Sequence, residues 1–326
     1  MKPIVWGIIG PGKIAHKFAR ALTLVEGARL GAVASRDAAR SEAFAREHGA
    51  DRSYDHYEQL AEDPGIDAVY VATPHGFHAE HSLLCLQQGK GVLCEKPMAL
   101  SAREAGAMIE ASRKYRAFLM EAMWTRFLPL VRETTTLVDS GQIGSVKYIR
   151  ADFGFLAPFN GTSRLYDLRL GGGSLLDIGI YPLFLCLHLL GGPDHIVAAG
   201  RLSPTGSDES CHAILQYRDG ASAVISSTLA CQTSLTAEVA GTEGMIRIPG
   251  PWYKNDRFEW NRTGGDVRQV QLEPMINGFE YQIGEVMRCM EQGVIESPSL
   301  PHSFSLMMSR TMDEIRRQIG VKYAGE

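Results

Sequence analysis

The feature that most limits what this chain can fold into is a short apolar run with a glycine loop joined directly to it. Ile4-Val5-Trp6-Gly7-Ile8-Ile9 shows no polar alternation, as expected of a strand buried on both faces of a parallel sheet. Gly10-Pro11-Gly12-Lys13-Ile14-Ala15 follows at once and matches Gly-x-Gly-x-x-Gly/Ala. Gly10 permits the tight turn, Gly12 lets a pyrophosphate approach the backbone, and Ala15 keeps the next helix close to the sheet. That helix is predicted over 14–24, with Ile14, Phe18, Ala21 and Leu22 on one face. The N–H groups of Lys13 and Ile14 at its start, with the helix dipole, favour an anion. The loop therefore predicts dinucleotide binding.

The alternation continues. Strands are predicted at 30–35, 67–72, 91–94 and 117–120, with helices near 38–48, 56–62, 76–88 and 101–114. This is the pattern of an α/β, doubly wound parallel sheet, and it defines a nucleotide-binding domain over 1–122. At about 150 residues per domain, 326 residues leave room for one more, over 123–326. From 146 onward the pattern changes to runs of alternating polarity at 146–153, 195–202, 211–217, 222–230, 235–240 and 245–248. These fit one antiparallel sheet with one covered face. Helices near 278–292 and 303–319 are expected to return to the first domain.

Several function classes are excluded by composition. Lysine and arginine total 33 against 37 acidic residues, a net charge of −4, which argues against binding nucleic acid by phosphate neutralisation. The six cysteines form no Cys-x-x-Cys pair and sit mostly in apolar runs, as reduced core thiols of a cytoplasmic protein do. The N-terminus lacks the apolar core and cleavage site of a secretion signal. No apolar run is expected to reach the roughly 20 residues that span a bilayer, so no membrane partner is expected.

Residues at strand ends suggest which cofactor is bound. An NAD-selective site places Asp or Glu at the end of the second strand to hold the ribose diol. Here Ser35-Arg36-Asp37 stands there, and Arg40 follows one helical turn later. Two guanidiniums and a small hydroxyl suit a 2′-phosphate, which favours NADP; NAD, with Asp37 on the ribose, is the alternative. Thr73, Pro74 and His75 end the next central strand and should lie near the cofactor. His75, His78 and His81 have loose spacing and no accompanying carboxylate motif, so no metal is expected.

Two further blocks carry chemistry. Glu95-Lys96-Pro97 ends a buried strand, where a lysine can reach a substrate oxygen or the cofactor ribose. Gly171-Gly172-Gly173-Ser174-Leu175-Leu176-Asp177-Ile178-Gly179-Ile180-Tyr181 opens a long apolar helix with Asp177 and Tyr181 on one face. Tyr181 could pass a hydroxyl proton while hydride leaves the carbon. A tyrosine with a pKa of about 10 needs a cation such as Lys96 for this role. A capping aspartate and a packed tyrosine are the plainer alternative.

Together the glycine loop, Glu95-Lys96-Pro97 and the Gly171–Gly179 block resemble the glucose–fructose oxidoreductase/inositol dehydrogenase (Gfo/Idh/MocA) family. Many members have histidine four residues after the aspartate, where this chain has Tyr181. With Glu121-Ala122-Met123-Trp124-Thr125-Arg126-Phe127, this departure is similar to the dimeric dihydrodiol dehydrogenase branch, which also includes NADP-dependent D-xylose dehydrogenase activity. The resemblance implies a Rossmann domain followed by an α/β domain with a large, open, mainly antiparallel sheet. It also implies that Lys96 and Asp177 line the active site, that Tyr181 is the general acid/base, that NADP is the cofactor, and that the open sheet makes a homodimer. Candidate cofactor contacts are Gly10, Gly12, Lys13, Ile14, Ser35, Arg36, Arg40, Thr73, Pro74, His75, Glu95 and Lys96. Candidate substrate contacts are Trp124, Arg126, Phe155, Asp177, Tyr181 and Phe279, with Phe153, Arg164 and Tyr166 beside them. The expected activity interconverts a secondary alcohol and a carbonyl on a sugar, polyol or cyclic dihydrodiol. An NAD-dependent redox-cycling glycoside hydrolase and a non-catalytic NADP(H) sensor are the alternatives.

Overall fold

β1 (Ile4–Ile9) lies at the middle of a six-stranded parallel sheet, and its lack of polar alternation reflects cover on both faces: Trp6, Ile8 and Ile9 are fully buried. The computed structural model that shows this describes residues 3–323, so the outermost ends of the two expected domains, 1–2 and 324–326, lie outside the described residues. The chain divides into two units, residues 3–124 with Ile276–Ser309 and Thr125–Met275 with residues 310–323.

In the first unit, α1 (Lys13–Leu22), β2 (Ala28–Ala34), α2 (Ala38–His48), β3 (Arg52–Tyr54), α3 (Tyr57–Glu62), β4 (Ala68–Val71), α4 (His78–Gln87), β5 (Gly91–Glu95), α5 (Ala102–Tyr115) and β6 (Leu119–Ala122) follow β1. The strand order is β3-β2-β1-β4-β5-β6. Ile8 pairs with Val33 of β2 on one side and Tyr70 of β4 on the other, so the order reverses at β1/β4. Ligands bind at such a switch point, beyond the carboxyl ends of the strands. α1 buries Phe18, Ala21 and Leu22, and the Phe18 ring stacks on Tyr70 with centroids 3.8 Å apart. Ile14, expected on that buried face, is 37% exposed in the first turn beside the glycine loop. The three-residue β3 was not anticipated, being too short to show a period.

The second unit opens with α6 (Pro129–Asp139) and centres on β7 (Val146–Gly154). A π-helical turn over Leu175–Gly179 leads into α7 (Ile180–Leu190), followed by β8 (His195–Leu202), β9 (Asp208–Gln216), β10 (Ser222–Thr228), β11 (Ala237–Gly241), β12 (Gly244–Ile248), β13 (Arg257–Arg262) and β14 (Arg268–Gln271). The eight-stranded order is β14-β13-β12-β11-β7-β10-β9-β8. The sheet is mainly antiparallel, as expected: β7 and β10 run parallel, Ile225 opposite Ala151, while the remaining pairs are antiparallel. The chain between them crosses through α7 and the β8–β9 hairpin, which is long enough for a parallel return. β13 and β14 were not anticipated, although Phe258 and Trp260 alternate inward with Arg257 and Glu259. α8 (Glu280–Glu291) belongs to the first unit, and α9 (His302–Ile319) straddles the division.

A correction concerns the apolar stretch Leu168–Leu190. It is 23 residues long and apolar enough to cross a bilayer by length and composition, contrary to the expectation above. Its most apolar window is 83% buried inside the protein, and Ile180 to Leu187 all lie in the core. A helix apolar on every side is what a core position requires.

Candidate active site

Gly10 has a φ of +86°, in the left-handed region that favours glycine, and a β-carbon there would lie 2.9 Å from the Thr73 backbone nitrogen. The loop can therefore follow this path only with glycine, and it brings the ends of β1 and β4 together. Gly12 is the N-cap of α1 and no side chain caps it. A β-carbon at Gly12 would meet only Arg40, at 4.0 Å. Open space over an uncapped helix start fits a pyrophosphate, which would take the backbone donors of Lys13 and Ile14.

Each arginine takes a definite place. Arg40 donates from Nε to the Pro11 carbonyl at 3.1 Å, so its guanidinium lies against the glycine loop. Arg36 stacks over Phe77, 5.7 Å from the ring centroid. Asp37, the alternative ribose ligand, instead caps α2: its carboxylate accepts from the Arg40 backbone N–H at 3.3 Å. The Ser35 hydroxyl accepts from the Asp37 N–H.

The histidines after β4 pack at the carboxyl edge of the sheet. His78 is fully buried with both ring nitrogens against carbonyls, 2.7 Å from Pro97 O and 2.8 Å from Thr73 O. Burial pushes its pKa down to about 4, so at neutral pH the ring holds one proton and donates to one of the two. His81 meets the Thr73 hydroxyl at 3.0 Å, and burial with the Arg36 charge pushes it down to about 4. His75 packs edge-on against His78. These contacts hold Thr73 and Pro74 at the sheet's carboxyl edge.

At the end of β5, buried Glu95 accepts from the Tyr70 hydroxyl and from the Lys96 N–H at 3.1 Å. Burial pushes its pKa up, opposed mainly by the Lys96 charge. Glu121 supports the same turn by accepting the Met98 N–H at 2.9 Å, and burial pushes it up to about 7. In this unit Trp124 and Phe279 do not stand open as ring platforms. They pack together at 5.3 Å and both face the Lys17 ammonium, at 4.1 and 4.3 Å, with Phe279 only 1% exposed. Lys17 was not anticipated.

In the second unit the π-turn presents Asp177 and α7 presents Tyr181, both buried. The single α-helix read from the sequence is thus a π-turn followed by an α-helix, and such turns recur at functional sites. Arg164 donates to Asp177 at 2.9 Å. The Tyr181 ring is flanked by Phe153 at 5.5 Å and Tyr253 at 5.2 Å, which stack on each other at 4.2 Å. Tyr253 was missed in the sequence, where only its place in the aromatic turn Pro251-Trp252-Tyr253-Lys254 could have pointed to it. Arg126, named beside these residues, is half-buried, and its charge adds to the burial that pushes His188 down to about 4. Phe155 is half-buried in the irregular segment just after β7, donating its N–H to the Thr228 carbonyl. Tyr166 is a core residue, donating its hydroxyl to the Ala157 carbonyl at 2.8 Å.

The glycine run before Asp177 is pinned from below. Fully buried Asp208 accepts the Ser174 hydroxyl and the Leu175 N–H, each at 2.7 Å, and Tyr323 donates to the Gly172 carbonyl at 2.8 Å. Gly173, at φ +139°, leaves no room for a β-carbon against Asp208. Burial pushes Asp208 from 3.8 up to about 6. A carboxyl whose folded pKa is raised stabilises the fold most when protonated, so its contribution is full below about pH 4 and lost as pH rises through about 6. Asp208→Asn keeps an acceptor for Ser174 and Leu175 but cannot titrate. The melting temperature of the native protein relative to this variant should therefore fall between about pH 4 and 7. A difference that stays constant with pH would show that Asp208 does not titrate there.

Comparison with known proteins agrees with both units. The Rossmann-domain model of an NAD-binding oxidoreductase family matches residues 4–123, and that family's C-terminal-domain model matches 131–247. The chain belongs to the Gfo/Idh/MocA oxidoreductase family. A trans-1,2-dihydrobenzene-1,2-diol dehydrogenase from Danio rerio is 40% identical over 98% of each chain. A 3-ketoreductase from Actinomadura kijaniata, solved with NADP and TDP-benzene, superposes with a TM-score of 0.88 at 26% identity, covering 97% of this chain and 98% of that one. An aldose-aldose oxidoreductase from Caulobacter crescentus, solved with glycerol, gives 0.88 at 25% identity and 97% of each chain. This Gfo/Idh/MocA protein is an enzyme, an oxidoreductase acting on CH–OH groups with an NAD(P)-binding Rossmann domain.

Proposed function

We propose that this enzyme is an NADP-dependent dehydrogenase that oxidises a secondary alcohol on a trans-dihydrodiol or sugar ring and runs in reverse as a ketoreductase. The observation that carries the reading is Tyr181, a buried phenol between Phe153 and Tyr253 and four residues from the arginine-paired carboxylate of Asp177. Aromatic walls suit the apolar face of a small ring, and the carboxylate suits its hydroxyls. The dihydrodiol dehydrogenase relatives and the ketoreductase and aldose oxidoreductase structures support this substrate class. Solved variants of that ketoreductase replace a tyrosine by phenylalanine and a lysine by alanine, the two residue types assigned here to the chemistry.

NADP, when bound, supplies the carbon that accepts hydride. Asp177 orients the substrate hydroxyls. Tyr181, as the phenolate, takes the proton of the reacting hydroxyl as its C–H bond breaks and C=O forms, then returns that proton to solvent. Lys96 provides the cation that stabilises the negative oxygen during this transfer. Arg36, Arg40 and Ser35 hold the 2′-phosphate. On the outer face of the second unit's sheet the paired residues Val197 and Ile214 are 49% and 43% exposed, which supports a homodimer formed across it.

The test is a panel of trans-dihydrodiols, aldoses and polyols, each offered with NADP and with NAD and followed by reduced-nicotinamide absorbance, with light scattering for the mass in solution. Turnover of a ring diol or aldose that is faster with NADP is the expected result. Activity confined to acyclic alcohols, or an NAD preference, would overturn the substrate or cofactor assignment.

A further inference from the structure

On the side of α1 that faces α2, His16, Glu47 and His48 bring three donor atoms together. His16 Nδ1 lies 2.8 Å from His48 Nε2, and Glu47 Oε1 is 3.3 Å from each. A tetrahedral zinc ion with ligands at about 2.0–2.2 Å requires its donors to lie about 3.3 Å apart. Two of the three separations already have that value; the third needs to open by about half an ångström and the two rings to turn from each other toward the ion, exchanging the imidazole–imidazole hydrogen bond for two metal bonds.

The rings are held for this. Phe44, 3% exposed, packs against both imidazoles with centroids 4.5 Å from each, and the two imidazoles are 4.9 Å apart. His48 is inside, whereas the His16 and Glu47 side chains are 34% and 49% exposed. An ion can therefore enter from solvent and keep water as its fourth ligand. Two imidazoles and one carboxylate select a borderline transition-metal dication over magnesium or calcium, which prefer all-oxygen shells. Arg20 lies 3.7 Å from the same Glu47 oxygen, a contact the ion would replace.

We propose that His16, Glu47 and His48 form a binding site for a zinc-class divalent metal ion, which clips α1 to α2. The site is separate from the reaction assigned to Asp177 and Tyr181, and its test does not read activity. Zinc titrated calorimetrically into the metal-stripped full-length protein should bind at one equivalent per chain with micromolar or tighter affinity and raise the melting temperature. Cobalt should give the visible absorption of a tetrahedral N/O site. His48→Gln should weaken binding at least tenfold. Should that buried variant misfold, His16→Gln and Glu47→Gln at the exposed ligands should do the same, with circular dichroism unchanged. Absence of stoichiometric binding, or equal affinity in all three variants, would overturn the proposal.

Discussion

Replacing Tyr181 with phenylalanine should lower turnover by about a hundredfold or more while leaving NADP affinity nearly intact. Phenylalanine keeps the ring that packs against Phe153 and Tyr253, so the wall of the site survives and only the hydroxyl is lost. That hydroxyl is the one group in the proposal that accepts the substrate proton. Without it the C–H bond must break with the assigned proton acceptor gone, and the cost should fall on kcat rather than on KM for the cofactor. Tyr253→Phe is the matched control, because Tyr253 stacks on Phe153 and flanks Tyr181 but has no assigned proton. It should retain most activity. Full activity in Tyr181→Phe, or an equal loss in both variants, would remove Tyr181 from proton transfer.

The contrast between these tyrosines shows what the sequence reveals and what it hides. The first unit was legible because its signals are local. A buried strand reads as an unbroken apolar run, a loop that needs φ of +86° reads as glycine, and the helix behind it shows its period. Lys96 and Tyr181 stand out in the sequence for a related reason. One closes a buried strand and the other interrupts an apolar helix, so each is a polar group where polarity is costly. Tyr253 carries no such mark, since its role comes only from the fold bringing it to Phe153 across about a hundred residues of chain.

The same limit applies to contacts that only the fold creates. Trp124 and Phe279 are aromatic residues in suggestive positions, but aromaticity does not say what a ring will pack on. In the structure they pack on one another and on Lys17, which belongs to α1 and has no sequence signal of its own. The π-turn at Asp177 is also invisible as a pattern, because a single inserted residue in an apolar helix leaves the composition unchanged. The Arg164 contact with Asp177 was open to guesswork only as a cation somewhere near a carboxylate. His16, Glu47 and His48 are likewise separated in the chain and come together only because α1 packs beside α2.

Arg36→Ala should weaken NADP binding by about ten- to a hundredfold and leave NAD binding almost unchanged, reducing or reversing the cofactor preference. The size follows from one charge-assisted contact to phosphate, worth about 1.5–3 kcal/mol. Arg36 is the cleaner probe of the pair because the side-chain contact it shows is stacking over Phe77, away from the backbone of the glycine loop. Arg40 also donates to the Pro11 carbonyl, so Arg40→Ala should loosen the loop and weaken both cofactors, with the larger loss for NADP. The carboxylate alternative makes the opposite prediction. Were Asp37 the ribose ligand, Asp37→Ala would cost NAD affinity directly. As the cap of α2 it should instead lower the melting temperature and affect the two cofactors alike. Paired affinities for NADP and NAD across the three variants, read by fluorescence of the reduced cofactors, separate the cases. Equal losses for both cofactors in Arg36→Ala would end the 2′-phosphate assignment, because an arginine that binds that phosphate has nothing to grip in NAD.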